Sequence, residues 1–376
     1  MATFTAHQQQ MMARALQLAE QGLWTVSPNP AVGCVITDQQ GNIIGEGWHQ
    51  RAGTPHAEVH ALAMAGDAAK GAIAYVTLEP CSHYGRTPPC AEGLIKAGVS
   101  EVICAMQDPN PLVAGKGLRM LQDAGIKTQS GLLEAQANHL NRGFIKRMVN
   151  QRPFVTVKLA CGLDGKTAMA NGHSKWITSA AARKDVQQFR AQSCAILTGA
   201  DTVLADNPSM NVRYNELSHK PAHIDQQSLR QPLRVVIDGD NRLSADLTIF
   251  NQPIPVLLVN KSFNKAVGES EYVKQWQAPL AQNNKIDLDA LLIKLGEMNI
   301  NNLWLEAGAS LAGAIIDTKL ADELIVYQAP KLMGHSAKSL LNLPEFEHMQ
   351  QAIELQYLDV RMVGHDIRII AVPQYQ

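Results

Sequence analysis

Short apolar runs alternate with helical segments along most of this chain, and that alternation restricts its fold more than any other feature. In the first 150 residues the apolar runs are AVGCVIT (31–37), AIAYVTLEP (72–80), VSEVICAM (99–106) and GIKTQSG (125–131). The segments between them, such as HAEVHALAMAG, end in glycine, which commonly follows the last turn of a helix. A sheet built from such units is covered by helices. The pattern therefore predicts an α/β/α domain, with a first helix over 5–21 and a closing helix over 134–149.

The chain has 376 residues, which is more than one hydrophobic core usually serves. The polar stretch NQRP (150–153) follows the first domain, so we place two domains at 1–150 and 151–376. In the second domain, apolar runs predict seven strands, at 154–160, 194–198, 234–239, 255–260, 302–306, 322–329 and 366–372. The polar stretch 214–232 indicates a surface insertion.

Charge and composition argue against several classes of protein. Lys and Arg number 33 against 34 Asp and Glu, so we expect no basic surface for nucleic acid or for an acidic membrane. The first residues lack the pattern of a signal peptide, and no stretch approaches the ~18 apolar residues of a membrane span. Six cysteines are too few for a disulfide framework in a chain of this length. We therefore expect a cytoplasmic protein whose cysteines are metal ligands, nucleophiles or core residues.

Two motifs in the first domain together supply the donors of a catalytic zinc site. PHAE contains His56 and Glu58, and PCSHYGRTPPC contains Cys81 and Cys90. Catalytic zinc takes about three His, Cys or carboxylate ligands and leaves one position open. His56 and Cys90 each stand where a helix is expected to begin, and Cys81 follows a strand at the carboxyl edge of the sheet. We predict one zinc centre held by His56, Cys81 and Cys90, with Glu58 carrying protons.

A structural zinc site is the main alternative, and it would need a fourth ligand. The candidates are His60, which we expect to pack between elements, and His83, which lies in the loop and could instead contact a substrate. The remaining cysteines (Cys34, Cys104, Cys161 and Cys194) are expected to pack in the two cores.

The H-x-E and P-C motifs resemble the cytidine-deaminase superfamily, except that eight residues separate Cys81 and Cys90 where that superfamily has two. The longer loop, with SPNPAVGCVI, GEGWHQRAGTPHAEVHA and QDPNP, is similar to the deaminase half of the bifunctional riboflavin-biosynthesis enzymes. That resemblance implies zinc-dependent deamination of a small phosphorylated pyrimidine. It also implies that the substrate lies against Asn29, His49, Asp108 and Asn110, although His49 equally suits a polar residue at a strand end.

In the second domain, LWLEAGASLAGAIID predicts a strand, a glycine turn at Gly308 and a helix. A helix N-terminus can bind phosphate, but a strand followed by glycine and a helix is more often only a turn. The motifs VKLA, SKWITS, RKDVQQFRAQ, WLEAG and DELIVYQAPKL resemble the reductase half of the same enzymes, whose dihydrofolate-reductase-like α/β domain uses NADPH.

The reductase resemblance implies two sets of site residues. The expected substrate contacts are Lys158, Ser174, Arg190, Met210, Arg213 and Glu306. The expected NADPH contacts are Ala160, Trp176, Thr202, Asp206, Gly308, Ala309, Ser310, Leu311, Ala312, Gly313 and Ala314. Trp176 could instead close a core beside a turn. Gly239 stands where a serine contact to the cofactor is common, which leaves the cofactor affinity open.

The sequence thus resembles a bifunctional family that deaminates a pyrimidine and then reduces its ribosyl group to a ribityl chain. The resemblance also implies a homodimer joined through the reductase domains. A nucleic-acid or nucleoside deaminase with an accessory domain is the alternative, and it would favour a short C-x-x-C loop and a basic surface. A regulatory protein built on an inactive deaminase is disfavoured, because His56, Glu58, Cys81 and Cys90 are all present.

Overall fold

The computed structural model describes residues 4–84, 88–111 and 113–375. The chain divides into two compact units, Met1–Gln151 and Arg152–Gln376.

The N-terminal unit is a five-stranded sheet between two layers of helices. Helices α2, α3 and α4 cover one face of the sheet, and α1, α5 and α6 cover the other. The strand order is β2-β1-β3-β4-β5, with β1 antiparallel to both neighbours and β3 to β5 parallel. The helices are α1 (Ala6–Glu20), α2 (Ala57–Ala65), α3 (Cys90–Ala97), α4 (Lys116–Asp123), α5 (Glu134–Leu140) and α6 (Arg142–Asn150), and the strands are β1 (Gly33–Thr37), β2 (Ile43–Trp48), β3 (Ile73–Val76), β4 (Glu101–Cys104) and β5 (Lys127–Ser130). The predicted α/β/α layering is confirmed.

Strand β2 was not predicted, because its sequence IIGEGW contains two glycines and lacks an apolar run. These glycines let α2 lie directly on the strand. A Cβ atom at Gly45 would lie 2.2 Å from the carbonyl oxygen of Ala61, and one at Gly47 would lie 2.5 Å from that of Ala57. The close approach places the beginning of α2 beside the end of the sheet.

The single closing helix predicted over 134–149 is wrong, since two helices, α5 and α6, meet at Asn141. The side chain of Asn141 is buried and pairs with the backbone of Ala31. Its Oδ1 accepts from the Ala31 N–H at 2.8 Å, and its Nδ2 donates to the Ala31 carbonyl at 2.9 Å. This tertiary contact competes with a continuous helix and has no signature in the local pattern.

The C-terminal unit is built on a nine-stranded sheet with the order β11-β10-β9-β8-β12-β6-β13-β16-β15. Strands β11 to β13 in that order are parallel, and β16 and β15 continue the sheet antiparallel. The helices are α7 (Ala180–Gln192), α8 (Ala200–Asp206), α9 (Leu288–Glu297) and α10 (Ala309–Asp317), and the strands are β6 (Phe154–Gly162), β7 (Lys166–Ala168), β8 (Ala195–Gly199), β9 (Leu233–Ile237), β10 (Val256–Asn260), β11 (Val273–Gln277), β12 (Asn302–Glu306), β13 (Glu323–Ala329), β14 (Lys338–Ser339), β15 (Glu354–Val363) and β16 (Asp366–Gln374).

All seven strands predicted for this unit are present, and four others were missed. Strands β11 and β15 form the two edges of the large sheet, and β7 pairs with β14 in a separate two-stranded ribbon. Edge strands bury few side chains, so they lack the period of two that reveals inner strands. In the described part of the chain, no helix is both long enough and apolar enough to cross a membrane.

The stretch 214–232 lies largely at the surface, as predicted. The buried apolar side chains of Leu217, Ile224, Leu229 and Pro232 attach it to the unit.

Asn141→Ala should lower the free energy of unfolding of the N-terminal unit by about 2–4 kcal/mol, because it leaves the buried N–H and C=O of Ala31 without partners. Urea denaturation would measure the change. Asn42→Ala is the matched control, since the Asn42 amide bonds Asp38 at an exposed site and should contribute less than about 0.5 kcal/mol. Equal effects of the two substitutions would contradict the role of Asn141.

Candidate active sites

Three metal-ligand side chains converge in the N-terminal unit. The Nδ1 atom of His56 lies 3.3 Å from the Sγ of Cys90 and 3.7 Å from the Sγ of Cys81. Two ligands of a tetrahedral zinc ion, with Zn–N and Zn–S bonds of usual length, would be about 3.6 Å apart. His56 is the N-cap of α2 and Cys90 is the first residue of α3, so two helix N-termini and the loop after β3 form the site. The donor set and its spacing fit a zinc ion.

The two cysteine sulfurs are adapted to hold a cation. The backbone N–H of Cys90 donates to the Sγ of Cys81 at 3.2 Å. A hydrogen bond from the Cys90 thiol, together with His56, lowers the pKa of Cys81 to about 4 despite partial burial. The same shared proton raises the pKa of Cys90, and its burial acts in the same direction. A metal ion would replace that proton and leave both sulfurs as thiolates.

Glu58 lies in the first turn of α2, two residues after the predicted ligand His56, and it is only 3% exposed. Burial raises the pKa of its carboxyl from 4.5 to about 6. A carboxyl group that can hold or release a proton near neutral pH is suited to proton transfer.

Among the described residues, the group that could hold a metal has three members, and neither His60 nor His83 joins it. The His60 side chain packs against β2. A Cβ atom added at Gly47 of that strand would lie only 2.6 Å from the Cβ of His60. His83 is exposed in the loop. A three-ligand group is the arrangement of an open, catalytic zinc site rather than of a closed structural one.

Asn29 and His49 lie together at the edge of this site. The rings of His49 and His56 meet edge to face with centroids 5.1 Å apart. His49 Nδ1 lies 3.1 Å from the carbonyl oxygen of Pro55, and a carbonyl can only accept, so Nδ1 carries the proton. His49 Nε2 lies 3.1 Å from Asn29 Nδ2 and accepts from it, because an amide NH₂ group can only donate. Burial lowers the pKa of His49, which favours this neutral form of the ring. His49 therefore orients the amide of Asn29.

Asp108 and Asn110 form a turn after β4. The backbone N–H of Asn110 donates to Asp108 Oδ1 at 2.8 Å. Burial raises the pKa of Asp108, and the hydrogen bond from Asn110 acts against that effect.

In the C-terminal unit, Arg190 and Glu306 form a largely buried bidentate pair. The Nε and Nη2 atoms of Arg190 donate to the two carboxylate oxygens of Glu306 at 2.6 and 2.8 Å. Trp304 Nε1 also donates to this carboxylate, at 2.7 Å. Glu306 ends β12 and is in register with Lys158 on the parallel strand β6, so three predicted substrate residues meet at one point of the sheet.

Charges determine what this cluster can bind. Burial raises the pKa of Glu306, but the positive charges of Arg190 and, to a smaller extent, Lys158 lower it to about 2. Burial lowers the pKa of Lys158, and Arg190 adds to that effect. Two cations against one anion leave an excess positive charge, which suits an anionic or polar ligand.

The other predicted substrate residues differ in their surroundings. Met210 is buried, with its sulfur 3.9 Å from Arg190 Nη2. Arg213 is exposed and forms an ion pair with Glu216 at 2.6 Å. Ser174 is half-buried in the segment before Trp176.

Trp176 does not close a core, since its side chain is 63% exposed. The guanidinium of Arg183 lies 4.3 Å from the centre of its ring. The neighbouring Lys175 reaches Asp206 of α8 at 3.6 Å, so this segment and the helix that carries Thr202 lie side by side.

The predicted cofactor run begins at the N-terminus of α10, where Gly308 is exposed and no side chain caps the helix. Such a terminus offers free backbone N–H groups to a phosphate. Ser310 is exposed as well, whereas Ala312 and Gly313 are buried by the protein itself. The predicted contact Ala160 lies half-buried on β6. At Gly239, a side chain in place of the hydrogen would lie next to Lys261. Its Cβ atom would be 3.3 Å from the Cε of Lys261.

Sequence reasoning missed the role of two buried charges, Glu79 and Arg234. Arg234 is fully buried within the apolar strand LRVVI and has no acidic partner in the described part of the chain. It donates instead to the carbonyls of Ser209, at 3.1 Å, and Ile254. Burial lowers its pKa to about 10. Ser209 precedes Met210, so Arg234 fixes the segment beside the Arg190 pair. The sequence signal that could have revealed this role is an arginine within the apolar strand LRVVI.

These units define a class of protein in which a zinc-dependent deaminase domain is joined to a reductase domain. The family described as "Cytidine and deoxycytidylate deaminase zinc-binding region" matches residues 5–106, and the family "RibD C-terminal domain" matches residues 153–369. The chain is 52% identical to the riboflavin biosynthesis protein RibD of Escherichia coli K12 over 359 residues, which are 95% of this chain and 96% of that protein.

Solved structures agree with these matches. Acinetobacter baumannii RibD is similar with a TM-score of 0.90 and 45% identity over 98% of this chain and 99% of that one. A Thermotoga maritima structure described as a diaminohydroxyphosphoribosylaminopyrimidine deaminase and 5-amino-6-(5-phosphoribosylamino)uracil reductase has a TM-score of 0.86 and 31% identity over 98% and 99% of the two chains.

The chain belongs to the RibD family of riboflavin biosynthesis proteins. It is an enzyme that carries a deaminase and a reductase activity, and the predicted zinc and NADPH fit its two domains. The alternative of a nucleic-acid deaminase with an accessory domain is not favoured.

Glu306→Gln should destabilise the C-terminal unit by about 3–5 kcal/mol, because it leaves Arg190 buried without its anion. The folded carboxyl has a pKa of about 2 against an ordinary 4.5, so the pair stabilises above pH 4.5 and its contribution is lost as the pH falls through 2. Urea denaturation of the wild type and the variant between pH 7 and pH 2 would test both points. In the control Glu297→Gln, an exposed pair with Lys294 is removed, and the loss should stay below about 1 kcal/mol. A similar loss in both variants would contradict the interpretation.

Proposed function

We propose that the N-terminal unit deaminates the phosphoribosylaminopyrimidine named for the Thermotoga relative, and that the C-terminal unit then reduces the ribosyl group of the product to a ribityl chain. The observation that carries the proposal is the three-ligand group His56, Cys81 and Cys90 with Glu58 buried beside it.

In the deaminase reaction, His56, Cys81 and Cys90 would hold zinc, which when bound supplies a Lewis acid that lowers the pKa of water. Glu58 takes a proton from the attacking water and delivers protons to the ring nitrogen and the departing ammonia. Water adds its oxygen to the ring carbon and the amino group leaves, so the reaction needs no other reactant. Asn29, held by His49, and the Asp108–Asn110 turn would orient the pyrimidine.

In the reductase reaction, NADPH when bound supplies the hydride. Lys158, Arg190 and Glu306 would bind the polar ribose and its phosphate, because their excess positive charge attracts an anion. The uncapped N-terminus of α10 would receive the cofactor's phosphates. The exposed Trp176 and the neighbouring α8 would line the same site.

A second copy of the chain is the proposed partner, joined through the C-terminal unit. An irregularity between Tyr357 and Asp359 keeps Leu355, Tyr357, Val360 and Met362 of β15 on one face of the sheet. All four side chains are exposed. Ile367 and Ile369 of β16 pair with Met362 and Val360 and extend this face.

The opposite face of the same strands is covered by α7, through the ion pair of Arg368 with Asp185 at 2.8 Å. An uncovered apolar face at the end of a sheet is suited to association with an identical copy.

The thiols of Cys81 and Cys90 bind zinc only when reduced, which supports a location in the cytoplasm.

Replacing both Tyr357 and Met362 by Lys should convert a dimer into a monomer, because charge would be buried in the apolar interface. Sedimentation equilibrium would measure the mass. Val149→Lys, at another exposed apolar side chain on α6, is the control and should leave the dimer intact. A monomeric wild-type protein, or a dimeric double variant, would refute the proposed interface.

Glu58→Gln should retain one zinc per chain and lose ammonia release by about 10²–10⁴-fold, since a carboxamide cannot transfer the proton. NADPH consumption with the deaminated intermediate should be unchanged. Zinc analysis, ammonia release and NADPH absorbance would be measured on the same preparation. Substantial ammonia release by this variant would disprove the assigned role.

A further inference from the structure

Glu79 is a buried carboxylate to which the reaction above assigns no part. It lies two residues before the ligand Cys81, and its side chain is 4% exposed. Within the described residues, no Lys or Arg side chain pairs with it. Its partners are backbone N–H groups from a segment about thirty to forty positions further along the chain.

Four N–H groups donate to this one carboxylate. Oε2 accepts from Asp108 at 3.1 Å and from Gly115 at 2.9 Å. Oε1 accepts from Gly117 at 2.8 Å and from Leu118 at 3.3 Å. Hydrogen bonds to an ionised acceptor are about twice as strong as neutral ones, and three of these donors lie at the start of α4, where a negative charge is also favoured.

The bonds hold both ends of one loop. Asp108 opens the turn that contains Asn110, and Gly115 is the N-cap of the helix that follows. The helix lies so close to the segment after β3 that a Cβ atom at Gly117 would be 2.0 Å from the carbonyl oxygen of Pro80. The backbone N–H of Glu79 itself donates to the carbonyl of Met106 at 3.0 Å. Glu79 thus ties the loop to the chain that leads into Cys81.

We infer that Glu79 is a positioning residue for the deaminase, whose carboxylate sets the distance between the metal ligand Cys81 and the Asp108–Asn110 turn. The inference rests on the proposed function, in which that turn contacts the pyrimidine. Glutamine has the same shape, but its NH₂ group would face N–H donors, so Glu79→Gln must displace at least one end of the loop.

The test measures ammonia release by full-length Glu79→Gln at varied pyrimidine concentration. KM should rise by about 10–100-fold, since small misplacements of binding groups have effects of that size. We expect kcat to change by less than about threefold, and zinc content and NADPH consumption to match the wild type. The control is Glu101→Gln, the same change at the other end of the sheet, where Glu101 pairs with Lys127. It should alter neither KM nor kcat, and neither the zinc content nor the NADPH consumption.

A second comparison separates positioning from general damage. In a background with Asp108→Ala and Asn110→Ala, Glu79→Gln should raise KM by less than about twofold further, because the side chains it positions are absent. The inference would be overturned if the KM increases of Glu79→Gln and of the Asp108→Ala, Asn110→Ala pair multiply. It would also be overturned if Glu79→Gln leaves KM unchanged or loses its zinc. If the background alone leaves KM unchanged, the substrate contact itself is refuted and the inference falls with it.

Should Glu79→Gln fail to fold, Glu79→Asp replaces it. This variant keeps the charge but is shorter by one methylene group, so it cannot reach all four donors. We expect a KM increase of about threefold or more that again disappears in the Asp108→Ala, Asn110→Ala background. An unchanged KM would overturn the inference.

Discussion

The deaminase site depends on the contact of helix α2 with strand β2, in which backbone lies against backbone. Gly45 and Gly47 remove the two side chains that would otherwise hold the helix away, since a Cβ atom at either would fall within 2.5 Å of a helix carbonyl oxygen. The contact brings the N-cap residue His56 to the end of the sheet and carries Glu58 with it. The first residue of α3, Cys90, meets them there with the loop residue Cys81. A metal ion fits because two helices begin at the point where the loop after β3 carries Cys81.

Buried charges fix the loops around both sites, and each is matched in a different way. Glu79 is matched by four backbone N–H groups, Arg234 by backbone carbonyls and the Gln252 side chain, and Glu306 by the guanidinium of Arg190. The Nε atom of Arg234 has no hydrogen-bond partner among the described residues, so that charge is matched only in part. Buried charges are costly unless they are hydrogen-bonded, so these contacts restrict the arrangement of the chain. The loops of a catalytic site require that restriction, because they have no regular structure of their own.

Packing also links the reductase cluster to the end of its sheet. Trp304, which donates to Glu306, stacks on Phe189 of α7 with ring centroids 5.2 Å apart. The guanidinium of Arg368 on β16 lies 5.5 Å from the centre of the Phe189 ring. Helix α7 therefore contacts the end of β12 that carries Glu306 and the last strands of the sheet. It covers only one face of those strands, and the exposed apolar face of β15 lies on the other.

The sequence by itself determined the α/β classes, the seven inner strands of the second unit and the three side chains that could hold a metal, because these follow from local periodicity and from residue types with few alternative uses. It also predicted Arg190, Glu306 and Lys158 by resemblance, and the structure brings them together. The break at Asn141, strand β2 and the edge strands were decided only by tertiary structure. Each of these depends on a partner distant in the chain: the backbone of Ala31, the carbonyls of α2, or a neighbouring strand. The roles of Glu79 and Arg234 were hidden for the same reason, since a buried charge shows its function only when the groups that satisfy it can be seen.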